Sequence, residues 1–464
     1  MSLTLRNMMA ALTAAAGGLQ GTNCQSATSR EKPLVVILGP LPARAPSSYR
    51  IRAIPAPGSA QFPPQGTAYK ENAETHRIWR TIHAFGPSLV VDPAGLPGLA
   101  KSLEGKVPVV SALPRTAPEL SPLATTQAEQ LARSPHNLAE QLGAVYGHVL
   151  TDVTYIQALA CIGRIRLAPF QDAALKDVEE LAAPYVDGRR DSLGKPDSTL
   201  LAGHLLFAAL YDRTGNRAYL ERVLAAAKLG FAPDGTPQPS MPYHNEMSDS
   251  VFMGCPILAQ AARLTGESRY AAMAVRHLRF MQGLCLRPDG LYRHSPLCDA
   301  AWGRGNAFPA LGMALTLEAL HTPDPHLVQS FRSLLRTLHR YQDADGLWHQ
   351  VIDRPDSYAE FSATAMIAAA TIKGIRGGWI GRRAYQPGVE RAWAAIQRRT
   401  SADGTVLDVC ESTGKQQSTE SYLNRAAIWN KDPRGGAMAM LLATEASAGG
   451  LAAGSFPESP SIKK

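Results

Sequence analysis

The densest chemistry in the chain lies between Pro242 and Ser362. The stretch opens with Ser248-Asp249-Ser250-Val251-Phe252-Met253, where one carboxylate stands against an apolar run. Asp and Ser are standard helix N-caps, so capping is the plain reading of Asp249. The chemical reading is a general acid whose pKa is raised by its apolar neighbours. Next come Asp289-Gly290-Leu291-Tyr292-Arg293-His294 and Trp302-Gly303-Arg304-Gly305-Asn306-Ala307-Phe308. An arginine between two glycines suits a place where backbone approaches a ligand closely. Arg304 could hold a carboxylate bidentately, and Trp302 could stack on a sugar ring. The same residues equally describe a helix N-terminus with a buried Trp. Asp345-Gly346-Leu347-Trp348-His349 repeats the aromatic-after-Asp-Gly theme, and Tyr358-Ala359-Glu360-Phe361-Ser362 closes it. Carboxylates, aromatics and one arginine on turns describe a carbohydrate pocket better than an apolar one.

The elements that position these residues are set by a repeat. Asp234-Gly235, Asp289-Gly290, Asp345-Gly346 and Asp403-Gly404 lie 55, 56 and 58 residues apart, with Asp187-Gly188 as a shorter-spaced earlier member. Two helix-like stretches separate successive pairs. One helical hairpin cannot bury its apolar face alone, so such a repeat implies stacked hairpins. Helical windows run near 137–163, 171–184, 199–213, 217–229, 250–264, 267–284, 305–321, 325–342, 358–374, 388–399 and 434–447, with a twelfth near 419–429. Thr214-Gly215-Asn216, Thr265-Gly266-Glu267 and Thr322-Pro323-Asp324 break and restart helices in turn. Six hairpins closed in a ring make an (α/α)6 toroid, low in strand, over residues 136–450. The Asp-Gly turns share one rim, and their neighbours line its mouth.

Ahead of the ring, Pro33–Gly39, Ser88–Asp92 and Val107–Val110 read as strands around a helix near 73–83, a small α/β module over 33–112. Residues 40–72 read as loops, and 113–135 as a Pro/Ser/Thr linker entering a polar helix. His83 and Asp92 have no partner constellation and read as structural. The 464 residues carry a net charge of +8, spread without a basic run, which argues against nucleic acid and allows an anionic substrate. Six cysteines without C-x-x-C spacing exclude a zinc ribbon, and no apolar run is long enough to span a membrane. Residues 1–25, with Arg6 before an alanine-rich apolar run, read as a weak secretory signal. They predict a periplasmic or secreted protein, and without cleavage a cytoplasmic one. Residues 451–464 read as a disordered tail.

Residues about 130–450 resemble the unsaturated uronyl hydrolases, glycoside hydrolase families 88 and 105. The carriers are Asp249-Ser250-Val251-Phe252-Met253, Trp302-Gly303-Arg304-Gly305-Asn306, Asp345 to Asp353 and Ser357 to Met366. The Trp-Gly-Arg-Gly-Asn form is most similar to the unsaturated rhamnogalacturonyl hydrolases. The resemblance implies a small anionic oligosaccharide whose terminal uronic acid, galacturonyl in this branch, carries a C4=C5 double bond. It implies that Asp249 protonates C4 and that water adds at C5, with no metal or organic cofactor. It implies a supporting aspartate at Asp197, which also reads as a helix cap, and substrate contacts at His294, Trp302, Arg304 and Phe308. Phe308 stands where the family usually has Trp. Two other readings stay open: an enzyme of the same scaffold with another uronate specificity, and a non-catalytic saccharide-binding protein.

Overall fold

The computed structural model describes residues 32–449, apart from 45, 57–59 and 168–171. The segments read as an export signal (1–25) and as a tail (451–464) lie outside the described residues. Six helices form an inner ring: Tyr155–Leu167, Ser198–Thr214 interrupted at His204, Ser250–Thr265, Gly303–Ala319, Phe361–Arg376 and Pro433–Ala448. Each packs on the next, and the last closes on the first. Six outer helices back them: Pro135–Gly143, Asp172–Val186, Arg217–Lys228, Ser268–Cys285, Pro325–His339 and Arg382–Arg398. This is the (α/α)6 toroid. The inner helices are buried nearly all round and the outer ones along one face, as the ring geometry demands. Small residues set the spacing: a Cβ on Gly312 would sit 2.7 Å from Phe252 Cα, so the Ser250 and Gly303 helices meet backbone to backbone.

Two helix assignments differ from the sequence expectation. The 137–163 window is two helices, separated by a turn in which Gly147 has φ +85°. The first of them, Pro135–Gly143, is the twelfth ring helix, packed against Pro433–Ala448. The 419–429 segment is a short helix, Thr419–Leu423, followed by a strand. Length decided this: one turn of helix cannot span the ring wall.

All five Asp-Gly pairs, Asp187-Gly188 included, lie on outer-to-inner connections, and every glycine has φ between +81° and +92°. Four of the aspartates accept the amide two residues on, at Arg189, Thr236, Leu291 and Thr405. That Asx turn is what selects Asp, and the left-handed backbone is what selects Gly. Asp345 is the exception, its carboxylate being held by Arg52. Two short ribbons interrupt the rim: β5 (Trp348–His349) with β6 (Ala359–Glu360), and β7 (Val406–Cys410) with β8 (Ala427–Asn430). The opposite rim is tied by buried charge. Lys373, 1% exposed, bridges Glu318 (2.6 Å) and Glu445 (2.7 Å), and Glu445 also pairs with Arg166 and Arg376. The opposing cations outweigh burial and pull the Glu445 carboxyl down to about 2.

The N-terminal sheet has four parallel strands in the order β2-β1-β3-β4, with β1 Leu34–Leu38, β2 Arg50–Ile54, β3 Leu89–Val91 and β4 Val109–Val110. β2 falls within the 40–72 stretch expected to be loop. Its Arg-Ile-Arg-Ala-Ile alternation suits an edge strand with one wet face, and the surrounding Pro and Gly hide that signal. Residues expected as a linker include the helix Pro122–Ala132, capped by Ser121 and packed on Ala73–Phe85 and Arg382–Arg398. Among the described residues no helix is long and apolar enough to cross a membrane.

Candidate active site

Four acids stand just before inner helices on the Asp-Gly rim, which makes them a natural comparison. Asp197 Oδ1 accepts the Thr199 amide at 2.8 Å, Glu360 accepts the Ser362 amide, and Asp432 Oδ1 accepts the Gly435 amide. Those three cap. Asp249 does not: its side chain makes no capping hydrogen bond. Its Oδ1 is buried with no hydrogen-bond partner among the described residues, and its Oδ2 lies 3.5 Å from His294 Nε2. A buried carboxylate oxygen left unpaired at a helix N-terminus costs stability, so its retention calls for another reason.

The surroundings hold Asp249 and His294 rigidly together. The Ser248 amide donates to the His294 carbonyl at 2.9 Å, and Ser248 Oγ donates to Gly305 O at 2.7 Å. Asn306, fully buried, accepts the Tyr292 amide and donates to the Tyr292 and Trp302 carbonyls. It thereby pins the 292–302 loop, which carries His294, to the start of the Gly303 helix. On the far side of the imidazole, Tyr422 Oη lies 2.7 Å from His294 Nδ1 and accepts the Gln416 amide at 3.0 Å. Burial raises the Tyr422 pKa, and because Oη already accepts the Gln416 amide, the consistent arrangement has the phenol donating to Nδ1. His294 then carries its own hydrogen on Nε2, facing Asp249. Gln350 fixes Tyr422 in turn by donating to its carbonyl at 3.0 Å.

Trp302 lies against this pair, its ring 4.5 Å from that of His294, and is 2% exposed. Among the described residues its indole nitrogen has no hydrogen-bond partner. Arg304 stacks beneath Trp302, 4.7 Å from its ring. The guanidinium is buried and bonds Ser362 Oγ and the carbonyls of Cys410 and Glu411, with Glu360 3.7 Å away. It holds the end of β7 in place. The glycines flanking it also answer to protein: a Cβ on Gly303 would come 2.7 Å from His349 O, and one on Gly305 would press on Ser248 and Trp302. The close approach expected there is to protein, backbone at Gly303 and side chains at Gly305.

Phe308 is 2% exposed inside the ring wall, packed on Tyr155 and Phe252 at 5.6 and 5.4 Å, and offers no open face to a sugar. The aromatics after the Asp-Gly turns are likewise anchors: Tyr292 and Trp348 are buried, and Trp348 Nε1 donates to Leu338 O. Asp197 is 40% exposed with His244 Nδ1 3.8 Å away, while Ser198 Oγ lies 2.8 Å from the same nitrogen. Tyr422, Gln416, Glu360 and Arg434 were not legible as site residues. Burial raises the Tyr155 pKa, and Arg434 lies close enough to oppose that rise. Of these, only Glu360 sat in a chemically dense motif.

Residues 170–448 match the Glycosyl Hydrolase Family 88. Among characterised relatives, the unsaturated rhamnogalacturonyl hydrolase YesR of Bacillus subtilis is 30% identical over 38% of this chain and 52% of its own length. An unsaturated 3S-rhamnoglycuronyl hydrolase of Formosa agariphila is 29% identical over 23% of this chain and 29% of its own. The chain thus spans about half or less of the relatives' lengths. In three dimensions, a glycoside hydrolase of family 105 from C. acetobutylicum aligns with TM-score 0.59 at 17% identity, over 67% of this chain and 99% of its own. A possible member of that family from Salmonella enterica aligns with TM-score 0.57 at 22% identity, over 69% and 93%. These two likenesses concern the ring fold.

Proposed function

The chain belongs to Glycosyl Hydrolase Family 88, and on that footing we propose that it hydrolyses oligosaccharides ending in a 4,5-unsaturated uronic acid. The relatives named above lend the substrate class. Galacturonyl linked to rhamnose is the preferred terminus, on the Trp302-to-Asn306 motif and the likeness to YesR. The observation that carries the reading is Asp249, the one of the four helix-leading acids that caps nothing, with an unpaired buried oxygen and the His294 Nε2 3.5 Å from the other.

In the reaction, Asp249 gives its proton to C4, and the C4=C5 pair of electrons forms the new C–H bond. Positive charge at C5 is shared with the ring oxygen. Water adds at C5 and returns a proton to Asp249. The hemiketal opens at the C5–ring oxygen bond to a ketone, and the hemiacetal left at C1 collapses to release the sugar beyond it. His294, held by Tyr422 with its Nε2 3.5 Å from Asp249 Oδ2, steadies the ionised form of Asp249. Asp197, part-exposed and with one oxygen spent on its cap, orients the water. Trp302, as buried as Phe308, backs His294 rather than stacking on a sugar, and Arg304 acts from beneath by holding β7 rather than by gripping the uronate. The N-terminal signal, if cleaved, sets this chemistry outside the cytoplasm; N-terminal sequencing of the purified protein checks it.

The test is loss of the near-ultraviolet enol-ether absorbance from an unsaturated galacturonyl-rhamnose disaccharide, with an unsaturated glucuronyl disaccharide as comparison. Loss with wild type and not with Asp249→Asn is expected. No loss with either sugar refutes the enzyme reading and leaves saccharide binding. Equal loss with wild type and variant removes Asp249 from the centre.

A further inference from the structure

The N-terminal module has no part in the reaction as written, yet it touches the ring at the residues that hold the site. Arg80, on the helix Ala73–Phe85, is 6% exposed and reaches across to the β7–β8 ribbon. Its Nη1 lies 2.7 Å from Asp408 Oδ1 and its Nη2 donates to Ala427 O at 3.0 Å. Asp408, 3% exposed, is itself unusual. The β7–β8 register shifts between Leu407 and Val409, and Asp408 has φ +69°, a conformation that non-glycine residues rarely adopt. Such a bulge re-aims a side chain, here out of the ribbon and onto Arg80. Beside this pair, Tyr69 stacks on Tyr358 at 4.6 Å and joins the apolar cluster of Trp302, Cys410 and Tyr422. A third contact sits on the rim, where Arg52 takes the Asp345 carboxylate that the other Asp-Gly turns use on their own backbone.

From Asp408 the path to the site is short. Two residues on, the Cys410 amide donates to Glu360 at 2.9 Å, and the Cys410 and Glu411 carbonyls take Arg304. The chain then runs through Lys415, paired with Glu246 at 2.7 Å, and Gln416 to Tyr422 on His294. Glu246 lies three residues before Asp249. The segment 411–423 is thus tied to the ring at both ends, and the root of β7 that anchors it is clamped from the module. Within the module's own sheet, Asp92, at the carboxyl end of β3, spends its oxygens on the Gly95 and Leu96 amides.

We propose that the N-terminal α/β module is a positioning element for the active site, acting through Arg80 and Tyr69 on the β7–β8 ribbon and so on Tyr422 and His294. This rests on the reading of Asp249 and His294 given above. The pair Arg80–Asp408 is buried, so loss of one partner strands the other charge and forces the ribbon to rearrange. Misplacement of a reacting group by about 1 Å, caused from a distance, can cost about a hundredfold in rate.

The test uses the full chain with Arg80→Met, Arg80→Lys, the double variant Arg80→Met/Asp408→Asn, and Tyr69→Leu, with the exposed module residue Lys101→Ala as control. Amide hydrogen exchange is followed over 411–423, and kcat, KM and the pH profile of kcat on the unsaturated disaccharide. In Arg80→Met, exchange over 411–423 speeds up at least about tenfold while the inner helices keep their protection. kcat falls about ten- to a hundredfold with KM within about threefold, and the pH profile shifts. Arg80→Lys recovers part of both, the double variant is milder than Arg80→Met, and Lys101→Ala matches wild type. Wild-type exchange over 411–423 in Arg80→Met overturns the proposal, as does faster exchange with unchanged kcat and pH profile. Should Arg80→Met not fold, Tyr69→Leu, which strands no charge, decides by the same readouts. A wild type inactive on both disaccharides refutes the function reading, while the exchange result still decides whether the module holds the segment.

Discussion

Lowering the pH from about 7 to about 5 is expected to destabilise this protein through histidines that the fold keeps neutral, His277 above all. His277 lies on the outer helix Ser268–Cys285 and is fully buried. The Met241 amide donates to its Nδ1 at 3.1 Å, and its Nε2 lies 2.8 Å from the Ser250 carbonyl, next to Asp249. The neutral tautomer with hydrogen on Nε2 satisfies both bonds, and a second proton on Nδ1 would face the Met241 N–H. Burial holds the pKa at about 4, against 6.5 for a free imidazole. The native pKa is the lower one, so between these values the unfolded chain binds more protons. Stability is therefore full above pH 6.5 and lost as pH falls towards 4. At about pH 5 the unfolded imidazole is nearly all protonated and the native one about a tenth, a difference of about 2 kcal/mol. His204, also buried and held at about 4, adds a similar loss. Together, about 4 kcal/mol is a large part of a net stability of about 5–15 kcal/mol. Urea unfolding followed by near-ultraviolet circular dichroism at both pH values measures it. In His277→Gln the pH 7 stability drops and the loss between pH 7 and 5 shrinks by about half. An unchanged loss in that variant, or a native His277 titrating near 6.5 by NMR, refutes the reasoning.

Further outcomes follow from the same geometry. Asp249→Asn should lower kcat by about 10²- to 10⁴-fold, as loss of a general acid does, with little change in thermal midpoint because no cap is lost. Asp197→Asn keeps an oxygen for the Thr199 amide, so stopped-flow rates should fall about tenfold or more with stability unchanged. Tyr422→Phe removes the phenol hydrogen from His294 Nδ1; kcat should drop about tenfold, and the nitrogen chemical shifts of the imidazole should report a mixed tautomer. Glu445→Gln leaves Lys373 buried with its main counter-charge weakened, costing about 3–5 kcal/mol by urea unfolding. That contribution is present above pH 4.5 and in wild type is lost only as pH falls towards 2.

What the sequence alone determined is whatever repeats locally. The Asp-Gly pairs announced five connections because an Asx turn with a left-handed glycine is written in two adjacent residues. Helical periodicity between them was enough to count a ring of hairpins, and the density of motifs from Asp249 to Glu360 marked the rim that carries the site. Tertiary structure decided what each polar residue does, since that depends on partners far along the chain. Asp197 and Asp249 look alike in sequence, yet one caps its helix and the other is left unpaired beside His294, whose loop is pinned by Asn306. Arg304 reads as a ligand clamp until Cys410 and Glu411, over a hundred residues on, take its hydrogen bonds. Tyr422 carries no local signal at all. It reaches His294 only because the ring closes, and the bulge at Asp408 that sets its approach meets Arg80 across more than 300 residues. Hydrogen bonds of that span leave no periodic trace in a sequence; they exist only once the chain is folded.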